Sequence, residues 1–143
     1  MNMNKNVHFL SQTNEWATPQ DFFDQMDQEF NFTLDVAATP RNAKCRRYFT
    51  QSDDGLSKSW DKQTVWCNPP YGREIGLWVK KASETMGGVV VMLIPARTDT
   101  KYFHQYIYNK KNVEIRFIKG RLKFGDSKNS APFPSMIAVF KGA

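Results

Sequence analysis

Residues 89–94 read Val-Val-Val-Met-Leu-Ile and, with Pro95, form the longest unbroken apolar stretch in the chain. A run of this length is a strand; a membrane-spanning helix needs roughly 20 apolar residues. Because the run does not alternate, both faces of that strand must be buried. Such burial is found in the middle of a largely parallel sheet covered by helices. One such strand already demands a layered α/β fold with amphipathic helices on the sheet.

The rest of the chain supplies those layers. Thr18-Pro19-Gln20-Asp21 reads as a helix start, with Thr18 as N-cap, Pro19 in the first helical position and an acid in the first turn. Phe22, Phe23, Met26 and Phe30 then recur at helical spacing, predicting a helix over 19–30. A short β-rich run covers 32–37, and Thr64-Val65-Trp66-Cys67 is a second strand. Ile75, Trp78, Val79 and Ala82 mark a helix within 74–85, closed by Gly87-Gly88. Thr98 and Asp99 are placed to cap a third helix carrying Tyr102, Phe103, Tyr106 and Ile107. Two further strands, 113–118 and 135–140, make a closing hairpin, whereas 43–63 fits no element. The pattern predicts an α/β sandwich with a mainly parallel sheet ending in an antiparallel hairpin. In such sheets ligands bind beyond the carboxyl ends of the strands. That edge carries Asp35, Asn68–Tyr71 and Pro95–Asp99.

At 143 residues there is room for one ordinary domain. Residues 1–14 are expected to be a polar arm and 15–143 a single domain. The polar start lacks the apolar core of a secretory signal, so a cytoplasmic location without membrane insertion is expected. Cys45 and Cys67 form no CxxC pair and only two histidines exist, so no metal-site spacing is present. The formal net charge of +6 suits a polyanionic partner such as nucleic acid. Lys119, Arg121 and Lys123 alternate along a strand-like run and give it one basic face, either a solvated surface or a phosphate contact.

Chemistry concentrates at Asn68-Pro69-Pro70-Tyr71. Two successive prolines have no N–H to donate and end the strand before them. The loop is stiff and its carbonyls are left to accept hydrogen bonds from elsewhere. Asn68 adds a side-chain acceptor, and Tyr71 a flat ring with a polar tip. Together they suit a planar base bearing an exocyclic amine.

Asn-Pro-Pro-Tyr is the catalytic motif of amino-group methyltransferases acting on adenine, other bases and glutamine. Around it the chain resembles the phage-encoded DNA N6-adenine methyltransferase (Dam-type) family. The resembling segments are Glu15–Pro19, Leu34–Ala38, Asp54–Leu56, Trp66–Gly72, Pro95–Thr100, Gly120–Phe124 and Ala131–Ser135, in order along nearly the whole chain from residue 15. The resemblance implies a compact Rossmann-like methyltransferase sandwich, S-adenosylmethionine as cofactor with no metal, double-stranded DNA as partner, and a phage or prophage origin. It implies a flipped adenine, held at N6 by Asn68 Oδ1 and the Pro69 carbonyl and stacked on Tyr71, with Pro70 completing the catalytic loop. The same acceptors would serve an RNA base or a protein glutamine, and a non-catalytic nucleic-acid-binding relative would keep the same fold.

The resemblance places the cofactor near Trp16, Thr18, Asp35, Ala37, Asp54, Leu56 and Asn68. The glycine-rich turn common in this broad class is missing, since the run reads Asp35-Val36-Ala37-Ala38-Thr39-Pro40. Asp35 is either a cofactor carboxylate or a turn acid, Asp54 a cofactor acceptor or a surface turn, and Trp16 a cofactor neighbour or core. Arg97 contacts DNA or pairs with Asp99. Phe133 walls the target base or packs the hairpin.

Overall fold

A computed structural model describes residues 16–125 and 130–142; the expected arm at 1–14 lies outside them. Helix α1 spans Gln20–Phe30, strand β1 Leu34–Asp35, β2 Thr64–Cys67, helix α2 Ile75–Glu84 and β3 Val89–Pro95. Strands β4 (Val113–Phe117) and β5 (Ser135–Lys141) follow. The five strands form one sheet in the order β1-β2-β3-β5-β4. Pairings β1–β2 and β2–β3 are parallel, while β3–β5 and β4–β5 are antiparallel. The expected mainly parallel sheet is thus a mixed one. Four strands share a direction and β5 opposes them, because β5 inserts between β3 and β4.

The sequence explains that order. β5 carries the unbroken run Met136-Ile137-Ala138-Val139-Phe140, all buried, as are Val90–Pro95 of β3. These two strands take the centre of the sheet. β4 alternates as Val-Glu-Ile-Arg-Phe and takes an edge, where one side can meet polar groups. On the other edge, Arg47–Phe49 runs beside β1. Asp35 N donates to the Arg47 carbonyl at 3.1 Å and Phe49 N to the Asp35 carbonyl at 2.9 Å. This bridge, with a short 3-10 turn at Gly55–Ser57, is structure within 43–63 that local patterning does not show.

Register puts Trp66, Val91, Val139 and Glu114 on one face. Helix α1 covers it, with Phe23 and Phe32 meeting Trp66 at ring separations of 5.3 and 5.4 Å. At its far end, Glu29 takes Arg116 of β4 in a two-pronged ion pair at 2.7 and 2.6 Å. α1 ends as Asn31 turns left-handed (φ 56°) and donates to the Asp27 carbonyl. α2 buries Ile75, Trp78, Val79 and Ala82. Cys67 is buried and Cys45 half-buried; burial pushes the Cys45 thiol up to about 12.

Two helix expectations change. The residue capping α1 is Pro19, extended at ψ 135°, with no side-chain cap bond, and Thr18 is engaged elsewhere. The third helix is a single wide turn, Phe103–Ile107, in which Tyr108 N reaches back five residues to the Phe103 carbonyl at 2.7 Å. Neither Thr98 nor Asp99 caps it: the residue before the turn is Tyr102, with no side-chain cap bond, and Phe103 N donates to Thr100 Oγ1 at 3.4 Å.

Trp66 is 1% exposed and joins α1 to the middle of the sheet. Trp66→Ala is expected to lower unfolding free energy by about 3–5 kcal/mol, whereas Phe117→Ser at a 65% exposed site should stay within about 0.5 kcal/mol. Urea denaturation followed by circular dichroism measures both.

Candidate active site

The site is built where β2 stops. Pro69 and Pro70 offer no N–H, so β3 continues past its parallel neighbour; the last register pair is Cys67 with Met92. The Leu93 carbonyl beyond that point is taken by Tyr71 Oη at 2.8 Å, which also lies 2.7 Å from Asn68 Oδ1. One phenolic proton serves one of these acceptors at a time. Tyr71 is 7% exposed, and burial holds its hydroxyl well above its ordinary value, so it stays protonated and donates.

Asn68 is gripped from its other end. Its Nδ2 donates to the Trp16 carbonyl and to Thr18 Oγ1, the latter at 3.0 Å. A carbonyl only accepts, so these contacts fix which end of the amide is nitrogen. Oδ1 keeps a second lone pair for an outside donor. The Pro69 carbonyl accepts no hydrogen bond among the described residues. The segment supplying Trp16 and Thr18 is itself pinned, since Gly125 N donates to the Ala17 carbonyl at 2.8 Å. Trp16 meets Phe124 and Phe133 in T-shaped contacts at 5.5 and 5.2 Å, and Tyr71 meets the same two rings at 6.2 and 5.7 Å.

This loop divides two clefts. One, of about 460 Å³, has Asn68, Pro69 and Pro70 in its wall. It brings together Trp16, Thr18, Asp35, Ala37, Asp54 and Leu56 from separate segments of the chain. The other, of about 790 Å³, has Tyr71, Phe133 and Arg97 in its wall and shares Trp16 with the first. Lys119, Arg121 and Lys123 line neither. Their run lies beyond the end of β4 and is not a strand, and Arg121 Nη1 donates to the Ala131 carbonyl at 3.3 Å. Arg97 makes no ion pair with Asp99.

Charge separates the clefts. The first holds three carboxylates, Asp35, Asp54 and Glu74, against one cation, Lys44. Asp35 is 3% exposed; burial raises its carboxyl, opposed by N–H bonds from Lys44 at 3.0 Å and Ala37 at 3.3 Å and by the Lys44 ammonium. It therefore serves as a turn acid, with lone pairs left over toward the cleft. The N–H groups of Val36, Ala37, Ala38 and Thr39 are all consumed inside the chain. That turn offers no N–H to a phosphate. Gly55 closes the floor, since a Cβ there would sit 2.3 Å from the Val36 carbonyl oxygen. The indole N–H of Trp78, another wall residue, is buried without a hydrogen-bond partner. The second cleft has four cations, Arg73, Lys80, Arg97 and Lys101, and no carboxylate in its wall among the described residues.

Sequence reasoning gave no place in the site to Lys44, Glu74, Trp78, Phe124, Arg73, Lys80 or Lys101. Arg73 stands two residues after Tyr71, and Lys80 falls on the same helical side as Gly76, so a helical projection of 73–80 carried a signal for those two. Nothing local marks Lys101 or Phe124.

An acceptor-bearing loop at a strand's carboxyl end, dividing a carboxylate-lined cleft from a basic aromatic one, has the layout of an enzyme acting on an amino group between a cofactor and an acidic substrate. The profile of the DNA N-6-adenine-methyltransferase (Dam) family matches residues 7–141. A DNA N-6-adenine-methyltransferase of Haemophilus phage HP1 (strain HP1c1) is 28% identical over 135 residues, covering 88% of this chain and 78% of that protein. Another, of Escherichia phage T1, is 32% identical over 102 residues, covering 68% of this chain and 42% of that protein. The chain belongs to the DNA N-6-adenine-methyltransferase (Dam) family.

Thr18, 5% exposed, reaches Asn68 through its hydroxyl. Thr18→Val keeps the shape and loses one hydrogen bond, about 1 kcal/mol, so kcat should fall by about fivefold. Thr18→Ser should restore it, with cofactor affinity by calorimetry nearly unchanged in both. A raised cofactor KM at unchanged kcat would show that Thr18 acts on the cofactor and not through Asn68.

Proposed function

We propose that this chain transfers the methyl group of S-adenosylmethionine to N6 of an adenine flipped out of double-stranded DNA, within one Rossmann-like domain over 15–143. The family's activity is DNA adenine-N6 methylation, and this chain is such an enzyme. One observation carries the finer reading: the Asn68–Tyr71 loop is the partition between the two clefts, so a group crossing from one to the other passes its free acceptors.

The carboxylate-lined cleft fits the cofactor. Its volume lies in the range of about 300–1,000 Å³ usual for such sites. Its net negative wall suits a cationic sulfonium, and its buried turn N–H groups are spent, which the cofactor tolerates because it bears no phosphate. Asp35 and Asp54 would hold its ammonium, hydroxyl or amine groups, and Ala37, Leu56, Trp16 and Thr18 would enclose it. The Trp78 indole N–H would find an acceptor there. When bound, the cofactor supplies an electrophilic methyl group.

The chain's own part is positioning and polarity. Asn68 Oδ1, held by the clamp on Nδ2, and the Pro69 carbonyl accept from the adenine amine and raise electron density on its nitrogen. Pro70 keeps the carbonyl from turning away, and Tyr71 bounds the side of the ring. Phe133, packed against Tyr71, extends the aromatic wall beside the base, while Arg97 and, on the flanking surface, Lys119, Arg121 and Lys123 contact DNA. Preorganised acceptors of this kind act without reorganising during the reaction.

The test is transfer of radiolabel from S-adenosylmethionine to unmethylated genomic DNA, followed by nucleoside analysis. Labelled N6-methyladenine is expected, and its absence from DNA with a folded, cofactor-binding protein overturns the reading. Asn68→Ala should lower turnover by about 100-fold or more, the usual size for a preorganised polar group. A normal rate in that variant would remove Asn68 from the mechanism.

A further inference from the structure

Arg73, Lys80, Arg97 and Lys101 are all exposed and line the same cleft, whose wall contains no carboxylate among the described residues. None of them makes an ion pair among the described residues. Elsewhere the chain does neutralise a structural cation: Arg116 is met by Glu29 at 2.6 Å and Glu114 at 2.5 Å. Four positive charges around one opening repel one another, and an anion brought to them relieves that repulsion. Two come from the loop and early turns of α2, and two from the segment that follows β3, so the ring of charge is made by separate elements converging. Its floor is aromatic, formed by Trp16, Tyr71 and Phe133. Cations at the rim and rings in the floor match a nucleotide strand whose phosphates stay outside while one base goes in.

We propose that these four side chains are a phosphate grip, holding the DNA backbone that flanks the nucleotide whose base enters the aromatic cleft. The inference rests on the proposed adenine methylation and adds the residues that seat its substrate. It also shifts the main electrostatic contact from Lys119, Arg121 and Lys123, which lie outside the clefts, to residues around the opening. The grip favours DNA in which the target base is already unpaired, because the cost of extrusion has then been removed.

The experiment uses the full chain and a fluorescein-labelled duplex carrying one adenine opposite an abasic site, beside the fully paired duplex. Binding is read by anisotropy over a series of salt concentrations. The native chain should bind the abasic-opposed duplex severalfold more tightly than the paired one. In Lys80→Ala/Lys101→Ala, that affinity should fall severalfold and the slope of log affinity against log salt should flatten by about 2, near 0.9 for each phosphate that no longer meets a lysine. Lys110→Ala/Lys111→Ala is the control. It removes the same charge next to the start of β4, at the end of the sheet remote from the clefts, because Val113 is level with Val90 through Phe140. Its slope should change by less than half as much.

The four substituted lysines are exposed, and an unchanged melting temperature confirms that each variant folds. Equal flattening in both double variants, or none in the first, overturns the grip. Neither result touches the methylation reading, which stands or falls on labelled N6-methyladenine made by the native chain. Calorimetry with S-adenosylmethionine should give the same affinity in every variant, and a loss confined to Lys80→Ala/Lys101→Ala would overturn the assignment of this cleft to DNA.

Discussion

The pair of prolines at 69 and 70 withholds two consecutive N–H groups at the point where β2 would otherwise continue beside β3. The ladder stops at Cys67, and the chain must leave the sheet in the middle of its ligand-binding edge. Three consequences follow. The Pro69 carbonyl is left without a donor among the described residues; the Leu93 carbonyl loses a strand neighbour and shares the Tyr71 hydroxyl with Asn68 Oδ1; and Asn68 is set at the corner, where segments distant in sequence reach it. A loop of ordinary residues could continue the ladder and consume those acceptors internally. The site exists because the backbone there has nothing to donate.

The amide clamp completes what the prolines begin. An asparagine on a loop end has a freely turning amide, and an amide turned by half a rotation would present donors where acceptors are needed. Contacts from Nδ2 to the Trp16 carbonyl and Thr18 Oγ1 prevent this, and a protonated Tyr71 hydroxyl on Oδ1 fixes the other end. Each hydrogen bond contributes about 1 kcal/mol net, so the two from Nδ2 bias the amide beyond thermal energy, and Tyr71 adds to them when its proton lies on Oδ1. The segment providing two of the partners is anchored through Ala17 to Gly125 and through Trp16 to Phe124 and Phe133. The orientation of one side chain is therefore tied to the connection between β4 and β5. That coupling gives the aromatic wall of one cleft a direct mechanical link to the acceptor group in the other.

How much of this was legible in the sequence depended on the range of each interaction. Strands β2, β3 and β5 announce themselves by unbroken apolar runs, and the central place of β5 follows from the contrast between Met136–Phe140 and the alternating Val113–Phe117. Asn68–Tyr71 is legible because its prolines act locally. Thr18 is the instructive failure: Thr-Pro ahead of a helix is a sound capping signal, yet the hydroxyl binds a residue fifty positions away that no local rule connects to it. The same holds for Arg47–Phe49, whose pairing with β1 rests on backbone groups and leaves no apolar pattern. The third helix failed for a subtler reason. Phe103 and Ile107 bury equally well in a wide turn as in an α-helix, so periodicity over five residues did not separate the two.

Charge is where composition and structure speak to each other. A formal excess of +6 says only that the chain favours anions. The fold sorts it: carboxylates gather on one side of the Asn68–Tyr71 partition, and cations that make no ion pair among the described residues on the other. A cationic methyl donor and a polyanionic acceptor would each be drawn to the cleft that suits it and discouraged from the other, before any specific contact forms. The absent glycine turn fits the same logic. Glycine-rich turns free backbone N–H groups to meet a phosphate; here those of Val36 and Ala38 are spent on the Trp66 and Phe49 carbonyls and those of Ala37 and Thr39 on the Asp35 and Asn42 side chains, and the cleft is left with acceptors. A site equipped with acceptors on one side of a loop and cations on the other is selective by electrostatic sign, and that sign would orient two oppositely charged substrates on the two sides of Asn68.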